Sequence, residues 1–239
     1  MEQYKKITFH HLLWYFVIFS VIGLIVETIF GAITNNVLES RKGFIWGPFC
    51  PVYGAGAVIL IICLNRIDNK NYLKLFLAGF LLGSIIEYAL SYILEAIYSI
   101  RFWEYSYTNL DINGRICVPY SFFWGVLAIL LMRFIRPFID KIIDKINPKI
   151  KKILDISIFI FLIIDCLITI WAVTTYKNRA EKIYYNNVHN ISTPTSNVLI
   201  NIKNSIENNY FTNERMKKIF PNLRFKDSQG NEIWLKDIV

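Results

Sequence analysis

Five apolar runs, each about as long as a membrane-spanning helix, constrain this chain of 239 residues more than any other feature. They cover residues 11–33, 46–64, 73–97, 119–136 and 153–173. A helix needs about 20 predominantly apolar residues to cross roughly 30 Å of hydrocarbon. Because 54% of the chain is hydrophobic, more than a soluble core requires, we expect the excess to face lipid. The sequence therefore predicts an all-α polytopic membrane protein with about five transmembrane helices.

The polar segments between and after these runs predict four parts of the chain. They are a four-helix transmembrane domain at 1–136, a basic amphipathic linker on the cytoplasmic surface at 137–152, a fifth transmembrane helix at 153–173 and a polar tail at 174–239. For the tail we expect a small α/β or partly ordered cap, with an amphipathic helix near 196–219 and a hairpin at 225–234.

The basic residues lie mainly between the apolar runs, although the formal net charge of +8 could also indicate nucleic-acid binding. Lys and Arg accumulate in the cytoplasmic loops of membrane proteins. The largest group includes Lys141, Lys145, Lys149, Lys151 and Lys152, and a cytoplasmic N-terminus places this group inside. We therefore predict a cytoplasmic N-terminus, a C-terminal tail outside and no nucleic-acid partner.

Two short motifs occur twice, in the same order, in the first four apolar runs. Gly23 to Glu27 and Gly83 to Glu87 share the spacing G-x-x-x-E. Pro48 to Gly54 and Pro119 to Gly125 share the pattern P-[FY]-[CS]-x-x-[YW]-G. Ordered recurrence of this kind indicates an internal duplication. Helices one and three would run in the same direction, so the first four helices should form two parallel two-helix repeats.

Glu27 and Glu87 are the most informative residues, because a carboxylate inside a spanning helix is costly unless it is paired, protonated or hydrated. Proline suits the first turn of a helix, so helices two and four should begin near Pro51 and Pro119, with their N-termini near the two acids. We predict a polar site that faces outward. Its candidate substrate-binding residues are Glu27, Glu87, Arg41, Arg115, Trp46, Tyr53 and Glu104. A purely structural role for the acids, paired with helix starts and arginines, is the alternative.

Other kinds of site lack support in the sequence. The chain's three histidines form no zinc-ligand pattern, and no C-x-x-C pair occurs. No P-loop motif G-x-x-x-x-G-K-[ST] is present, so the chain cannot hydrolyse ATP by that machinery. We therefore predict no metal, no cofactor and no catalytic residue.

The segment from Arg41 to Gly56, RKGFIWGPFCPVYGAG, resembles the CmpB-type family of bacterial membrane proteins, which are usually labelled ABC transporter permeases of type IV. The resemblance includes Glu27, W-E-Y-S at 103–106 and N-G-R-I-C at 113–117, and it covers about residues 10–135. Where the family tends to have W-D-Y-S, this chain has Glu104, whose side chain is one methylene longer. The resemblance implies a bacterial inner-membrane protein with a separate ATPase subunit.

These observations favour a transport protein in the lipid bilayer, an ABC-type permease with an outward-facing polar site in the bundle. An ATPase would dock on the cytoplasmic segments 65–74 and 137–152. Four or five helices are few for a permease, so we expect a homodimer. One alternative is a membrane-embedded enzyme that uses the two carboxylates, Arg41 and Glu104 at the outer interface. Another is a non-catalytic membrane sensor or assembly protein whose tail binds a partner.

Overall fold

The protein is mostly helical in the computed structural model, which describes residues 6–36, 38–68, 70–98, 100–108, 110–189, 209–227 and 230–239. In chain order the helices are α1 (Phe9–Asn35), α2 (Pro51–Leu64), α3 (Tyr72–Tyr98), α4 (Val118–Leu130), α5 (Arg136–Ile143), α6 (Pro148–His189), α7 (Asn213–Ile219) and α8 (Leu235–Ile238). Two antiparallel hairpins complete the fold, β1 (Asp111–Ile112) with β2 (Ile116–Cys117), and β3 (Arg224–Lys226) with β4 (Glu232–Trp234).

Four helical stretches within the described residues are long and apolar enough to cross a membrane. They are Phe9–Thr34, Tyr72–Tyr98, Val118–Ile143 and Pro148–Tyr185. These stretches confirm the prediction of a multi-pass, all-α membrane protein. The second predicted run forms the shorter helix α2, whose 14 residues extend only roughly 21 Å. A count of five spans therefore stays a prediction.

The two helices at the repeated proline motif, α2 and α4, begin where the sequence predicts. Pro51 is the first residue of α2, and Pro119 is the second residue of α4. The residue before each helix, Cys50 or Cys117, has an extended backbone. Proline lacks the N–H that would be unsatisfied in a first turn, and its fixed φ suits a helix start.

The predicted linker at 137–152 is divided in the structure. A π-helical turn at Leu131–Ile135 joins α4 directly to α5, which ends at Ile143, and Pro148 then starts α6. Helix α6 continues past residue 173 to His189. Near and beyond residue 173, one of its faces packs in an apolar cluster with the tail through Ala172, Val173, Tyr176 and Ala180.

The tail packs on α6 and on the loops at one end of the bundle. Phe211, Met216, Phe220 and other tail residues form an apolar cluster with α6 and with Ile45 and Ile100 of the two loops. The hairpin predicted at 225–234 is confirmed by the pairing of β3 with β4. The helix predicted near 196–219 falls partly outside the described residues, and its described part contains α7.

The start of α1 and the described part of the tail lie at opposite ends of the bundle. At the start of α1, His10 bonds to Asp155 in the first turns of α6, with 2.7 Å between Nδ1 and Oδ1. Helices α1 and α6 therefore run in the same direction. The C-terminal half of α6 and the tail lie at the same end of the bundle as the α1–α2 and α3–α4 loops. At that end, the backbone N–H of Arg101 donates to the carbonyl of Arg224 at 3.2 Å.

Helices α3 and α4 approach closely through glycine. A Cβ atom at Gly79 would lie 2.2 Å from the Cβ of Ala128 and 2.9 Å from the carbonyl oxygen of Trp124. At Gly56 of α2, a Cβ would meet no atom within 4 Å. The two glycines thus differ in whether the fold has room for a methyl group.

We predict that Gly79→Ala lowers the free energy of unfolding by about 1–3 kcal/mol, because the added methyl separates α3 from α4. Gly56→Ala is the matched control, and it should be neutral or stabilising by up to about 1 kcal/mol, since alanine favours helix over glycine. Thermal unfolding of the purified protein in one detergent compares them. Equal stabilities for the two variants would contradict the close approach of α3 to α4 at Gly79.

Candidate functional site

Glu87 is the central acid of the candidate site. It lies on α3 with 8% of its surface exposed. Its Oε1 accepts a hydrogen bond from the Tyr105 hydroxyl at 2.8 Å, and its Oε2 accepts one from Trp124 Nε1 at 2.8 Å. Burial and the neighbouring Glu87 raise the pKa of Tyr105, so its hydroxyl stays protonated and donates. One carboxylate thus joins α3, α4 and the α3–α4 loop.

Glu27 forms a similar contact on α1. The Tyr53 hydroxyl of α2 donates to its Oε1 at 2.5 Å. Glu27 lies close enough to Glu87 for their charges to interact, so the two predicted acids belong to one region. Tyr120, which also interacts with Glu27 electrostatically, stacks on Tyr105 with ring centroids 4.7 Å apart. The structure therefore places aromatic hydroxyls around both carboxylates.

Two glycines allow the aromatic donors to reach the acids. A Cβ at Gly23 would lie 2.2 Å from the Cβ of Tyr53, and a Cβ at Gly83 would lie 2.4 Å from the Cβ of Trp124. Each glycine is one helical turn before the acid that its aromatic neighbour contacts. The spacing G-x-x-x-E therefore has a local cause, because glycine makes room for the side chain that hydrogen-bonds the glutamate.

Neither carboxylate has a salt bridge in the part of the chain that the structure describes. The donors on Glu27 and Glu87 are the hydroxyls and the indole given above, and all of them are neutral. By contrast, Glu95, two turns after Glu87 on α3, pairs with Arg115 at 2.6 Å and with Arg101 at 3.1 Å. Among the described residues, Glu27 and Glu87 thus lack the arginine partners that Glu95 has.

The predicted arginines lie one helical turn beyond the acids. Arg115 donates to Ser91 Oγ at 3.0 Å, and Ser91 is four residues after Glu87. The guanidinium of Arg41 packs against Gly31, four residues after Glu27. With its amide oriented to satisfy both partners, Asn222 of the tail accepts from Arg41 at 2.7 Å and donates to Glu39 at 3.1 Å.

Glu104 stabilises the loop that carries Tyr105. It forms a salt bridge with Arg101, and the Ser106 hydroxyl donates to it at 2.6 Å. Burial alone would raise the pKa of Glu104, but the hydrogen bonds from Ser106 and Arg101 lower it below its ordinary value. In the same loop, the N–H of Tyr105 donates to the carbonyl oxygen of Gly114 at 2.8 Å. Glu104 therefore positions Tyr105 indirectly, by stabilising the loop. No described contact joins Glu104 to Glu27 or Glu87.

Trp46 contributes its backbone rather than its ring to the contacts in this region. Its N–H donates to Asp165 Oδ1 of α6 at 3.2 Å, and the N–H of Ile45 donates to Thr169 Oγ1 at 3.0 Å. Asp165 is fully buried. The turn before α2 is thus held by α6, a long-range contact that the sequence does not predict.

Comparison with known proteins decides the family. A family model described as "Putative ABC-transporter type IV", of the CmpB type, matches residues 14–170. The chain belongs to this family. Searches of curated proteins and of solved structures found no match.

The family match contains all seven candidate residues and extends beyond the predicted resemblance at 10–135 to about the first half of α6. The described tail, 209–227 and 230–239, lies outside it. The part of α6 up to residue 170 therefore belongs to the region that the family model matches, and this part includes Asp165 and Thr169, which bond to the turn before α2.

The structure adds Trp124, Tyr105 and Tyr120 to the candidate site. A sequence signal existed for Trp124, which occupies the same position as Tyr53 in the repeated motif P-[FY]-[CS]-x-x-[YW]-G. Tyr105 belongs to the family-like segment W-E-Y-S, in which the sequence indicated only Glu104. Tyr120 carried no signal besides its place in the motif.

The β1–β2 turn supplies a test of how the loop positions Tyr105. Asn113 and Gly114 both have positive φ, as an Asn-Gly hairpin turn requires. A Cβ at Gly114 would lie 1.5 Å from Glu104 Oε1. Gly230 also has positive φ, at 84°, but a Cβ there would meet no atom within 4 Å.

We predict that Gly114→Ala displaces Glu104 and lowers the free energy of unfolding by about 2–4 kcal/mol, because the strain of positive φ is added to a steric clash. Gly230→Ala should cost only about 1–2 kcal/mol from positive φ. Thermal unfolding and limited proteolysis of residues 100–117 compare the variants. If Gly114→Ala costs no more than Gly230→Ala, Glu104 does not hold this loop.

Proposed function

We propose that the protein is the membrane-spanning permease subunit of an ABC-type transporter, and that Glu27 and Glu87 bind a positively charged group. Family membership and the apolar helices support the transporter assignment. The observation that carries the site is the pair of interacting carboxylates whose described donors are all neutral.

The electrostatic argument starts from the cost of charge inside a membrane. Two ionised carboxylates that interact in a low-dielectric region repel each other, and hydrogen bonds from neutral groups do not cancel their charge. A bound proton or a bound cation removes that cost. Such a pair therefore has higher affinity for a cationic ligand than an acid already paired with arginine, such as Glu95.

The aromatic residues favour an organic cation. Tyr53, Tyr105, Tyr120 and Trp124 all lie near the two acids, and aromatic faces attract ammonium groups through cation–π interaction. An ammonium group between carboxylates and aromatic rings satisfies both kinds of neighbour. We therefore infer that the substrate, or one end of it, is an amine or a quaternary ammonium.

We further propose that α1–α2 and α3–α4 arose by duplication. Equivalent contacts support this proposal, because Gly23 packs on Tyr53 as Gly83 packs on Trp124. Each aromatic side chain then bonds to the glutamate of its own helix pair. A duplicated transporter half places two equivalent acids on either side of one ligand.

The proposed orientation has the N-terminus in the bacterial cytoplasm, the tail outside and the acids accessible from outside. The lysine-rich end supports it, because basic residues remain on the cytoplasmic side. A separate ATPase subunit would dock at that end, on 65–74 and 137–152, and supply the hydrolysis for which this chain has no P-loop. A homodimer would provide the further helices that a transport pathway needs.

The proposal predicts that a Glu→Gln substitution has opposite effects on stability at the two central acids and at Glu95. Glu87→Gln, and Glu27→Gln on α1, should raise the stability of the ligand-free protein by about 1 kcal/mol, because one of two repelling charges is removed from the apolar bundle. Glu95→Gln is the matched control, and it should lower stability, because Arg101 and Arg115 lose their shared carboxylate.

The same variants test binding and transport. Choline serves as a cationic probe and dimethylbutanol as its neutral isostere. Choline should raise the melting temperature of the wild type and of Glu95→Gln, but not that of Glu27→Gln or Glu87→Gln. Uptake of labelled choline into vesicles should follow the same order. A stabilising effect of dimethylbutanol equal to that of choline, or loss of ligand-free stability in Glu27→Gln and Glu87→Gln, would indicate a structural role instead.

A further inference from the structure

A second candidate binding site lies at the opposite end of the bundle, between the starts of α1 and α6. It is a cavity of about 290 Å³, lined by Phe9, Pro148, Lys151, Lys152, Asp155 and Ile156. The proposed cation site does not use any of these residues. Two lysines beside apolar side chains indicate an amphipathic ligand with a negative charge.

The lysines at this end lack acidic partners among the described residues. Lys151 and Lys152 follow Lys141, Lys145 and Lys149, and no salt bridge forms on any of the five. At the other end of the bundle several basic side chains are paired. There Arg101 and Arg115 contact Glu95, Arg224 contacts Glu232, Lys177 contacts Glu181 and Lys236 contacts Glu39. Five lysines without an acidic partner among the described residues thus lie within residues 141–152, and two of them line the cavity.

Asp155, the acid among the lining residues, already forms hydrogen bonds within the bundle. His10 Nδ1 lies 2.7 Å and 2.8 Å from its two carboxylate oxygens, and Trp14 Nε1 donates to Oδ1 at 3.0 Å. Asp155 is also buried, whereas Lys152 is exposed. The charge presented to a ligand at the cavity is therefore that of the lysines.

Apolar side chains continue from the cavity along the outer surface of the bundle. Phe9 is 57% exposed and Ile156 is 49% exposed. The ring of Phe9 contacts Phe159 edge to face at 5.6 Å, one turn further along α6. In a multi-pass membrane protein this surface faces the hydrocarbon, with Lys151 and Lys152 at its edge. The surface offers positive charge for a headgroup and an apolar path for an acyl chain.

We propose that this cavity binds an anionic phospholipid, whose phosphate contacts Lys151 and Lys152 and whose acyl chain lies along Phe9, Ile156 and Phe159. Charge complementarity selects the anionic headgroup. The adjoining apolar surface favours a lipid over an acidic protein, which would cover the lysines without needing hydrocarbon contact. A bound lipid would bridge α1 and α6 at the end where His10 also joins them.

The test measures lipid binding to the purified full chain in phosphatidylcholine nanodiscs that contain added phosphatidylglycerol, with bound lipids counted by native mass spectrometry. We expect Lys151→Gln combined with Lys152→Gln to weaken phosphatidylglycerol binding about 30-fold, which corresponds to about 1 kcal/mol for each lysine. Lys151→Arg combined with Lys152→Arg should retain binding because it retains the charge. Raising the salt concentration should weaken binding to the wild type.

Lys218→Gln combined with Lys226→Gln is the matched control, since it removes two exposed charges of the tail, outside the cavity, and it should bind as the wild type does. Equal binding by all variants would overturn the proposal. If soluble glycerol phosphate binds as tightly as phosphatidylglycerol, the cavity is a free-phosphate site and the proposal is wrong. Unchanged lipid binding with lost co-purification of an ATPase would assign the lysines to a protein partner, and this result would also overturn it. None of these outcomes depends on Glu27 or Glu87.

Discussion

A carboxylate inside an apolar bundle requires hydrogen-bond donors, and the way Glu87 obtains them determines much of this structure. One donor is the indole of Trp124, which reaches α3 because residue 83 is glycine. The other is the hydroxyl of Tyr105, which depends on the folded loop between α3 and α4. The helix crossing, the β1–β2 turn and the salt bridges of Glu104 and Glu95 all support these two bonds.

The sequence predicts the parts of the fold that local chemistry determines. Proline places the starts of α2 and α4, and the apolar runs predict the long helices. The recurrence of G-x-x-x-E predicts two acids in one region, because two helices that carry the same motif are expected to hold it at similar depth. The family resemblance follows from a contiguous segment, Arg41 to Gly56, and the family match confirms it.

Contacts between distant parts of the chain could not be predicted in this way. Asp165 is a mid-helix acid in the sequence, but in the fold it accepts the N–H of Trp46, more than a hundred residues away. The sequence predicts Arg41 as part of the site with the acids, and its described hydrogen-bond partner is Asn222 of the tail. The tail also packs on the face of α6 that continues past residue 173, a contact that the apolar run at 153–173 does not predict.

The docking of the tail affects how the helices can move. The tail is connected to the α1–α2 loop through Lys236 and Glu39, and to the α3–α4 loop through the backbone bond between Arg101 and Arg224. A rocking of one helix pair against the other would have to break one of these connections. The tail thus links the two loops at one end of the bundle, and releasing it would be part of the free-energy cost of any such movement.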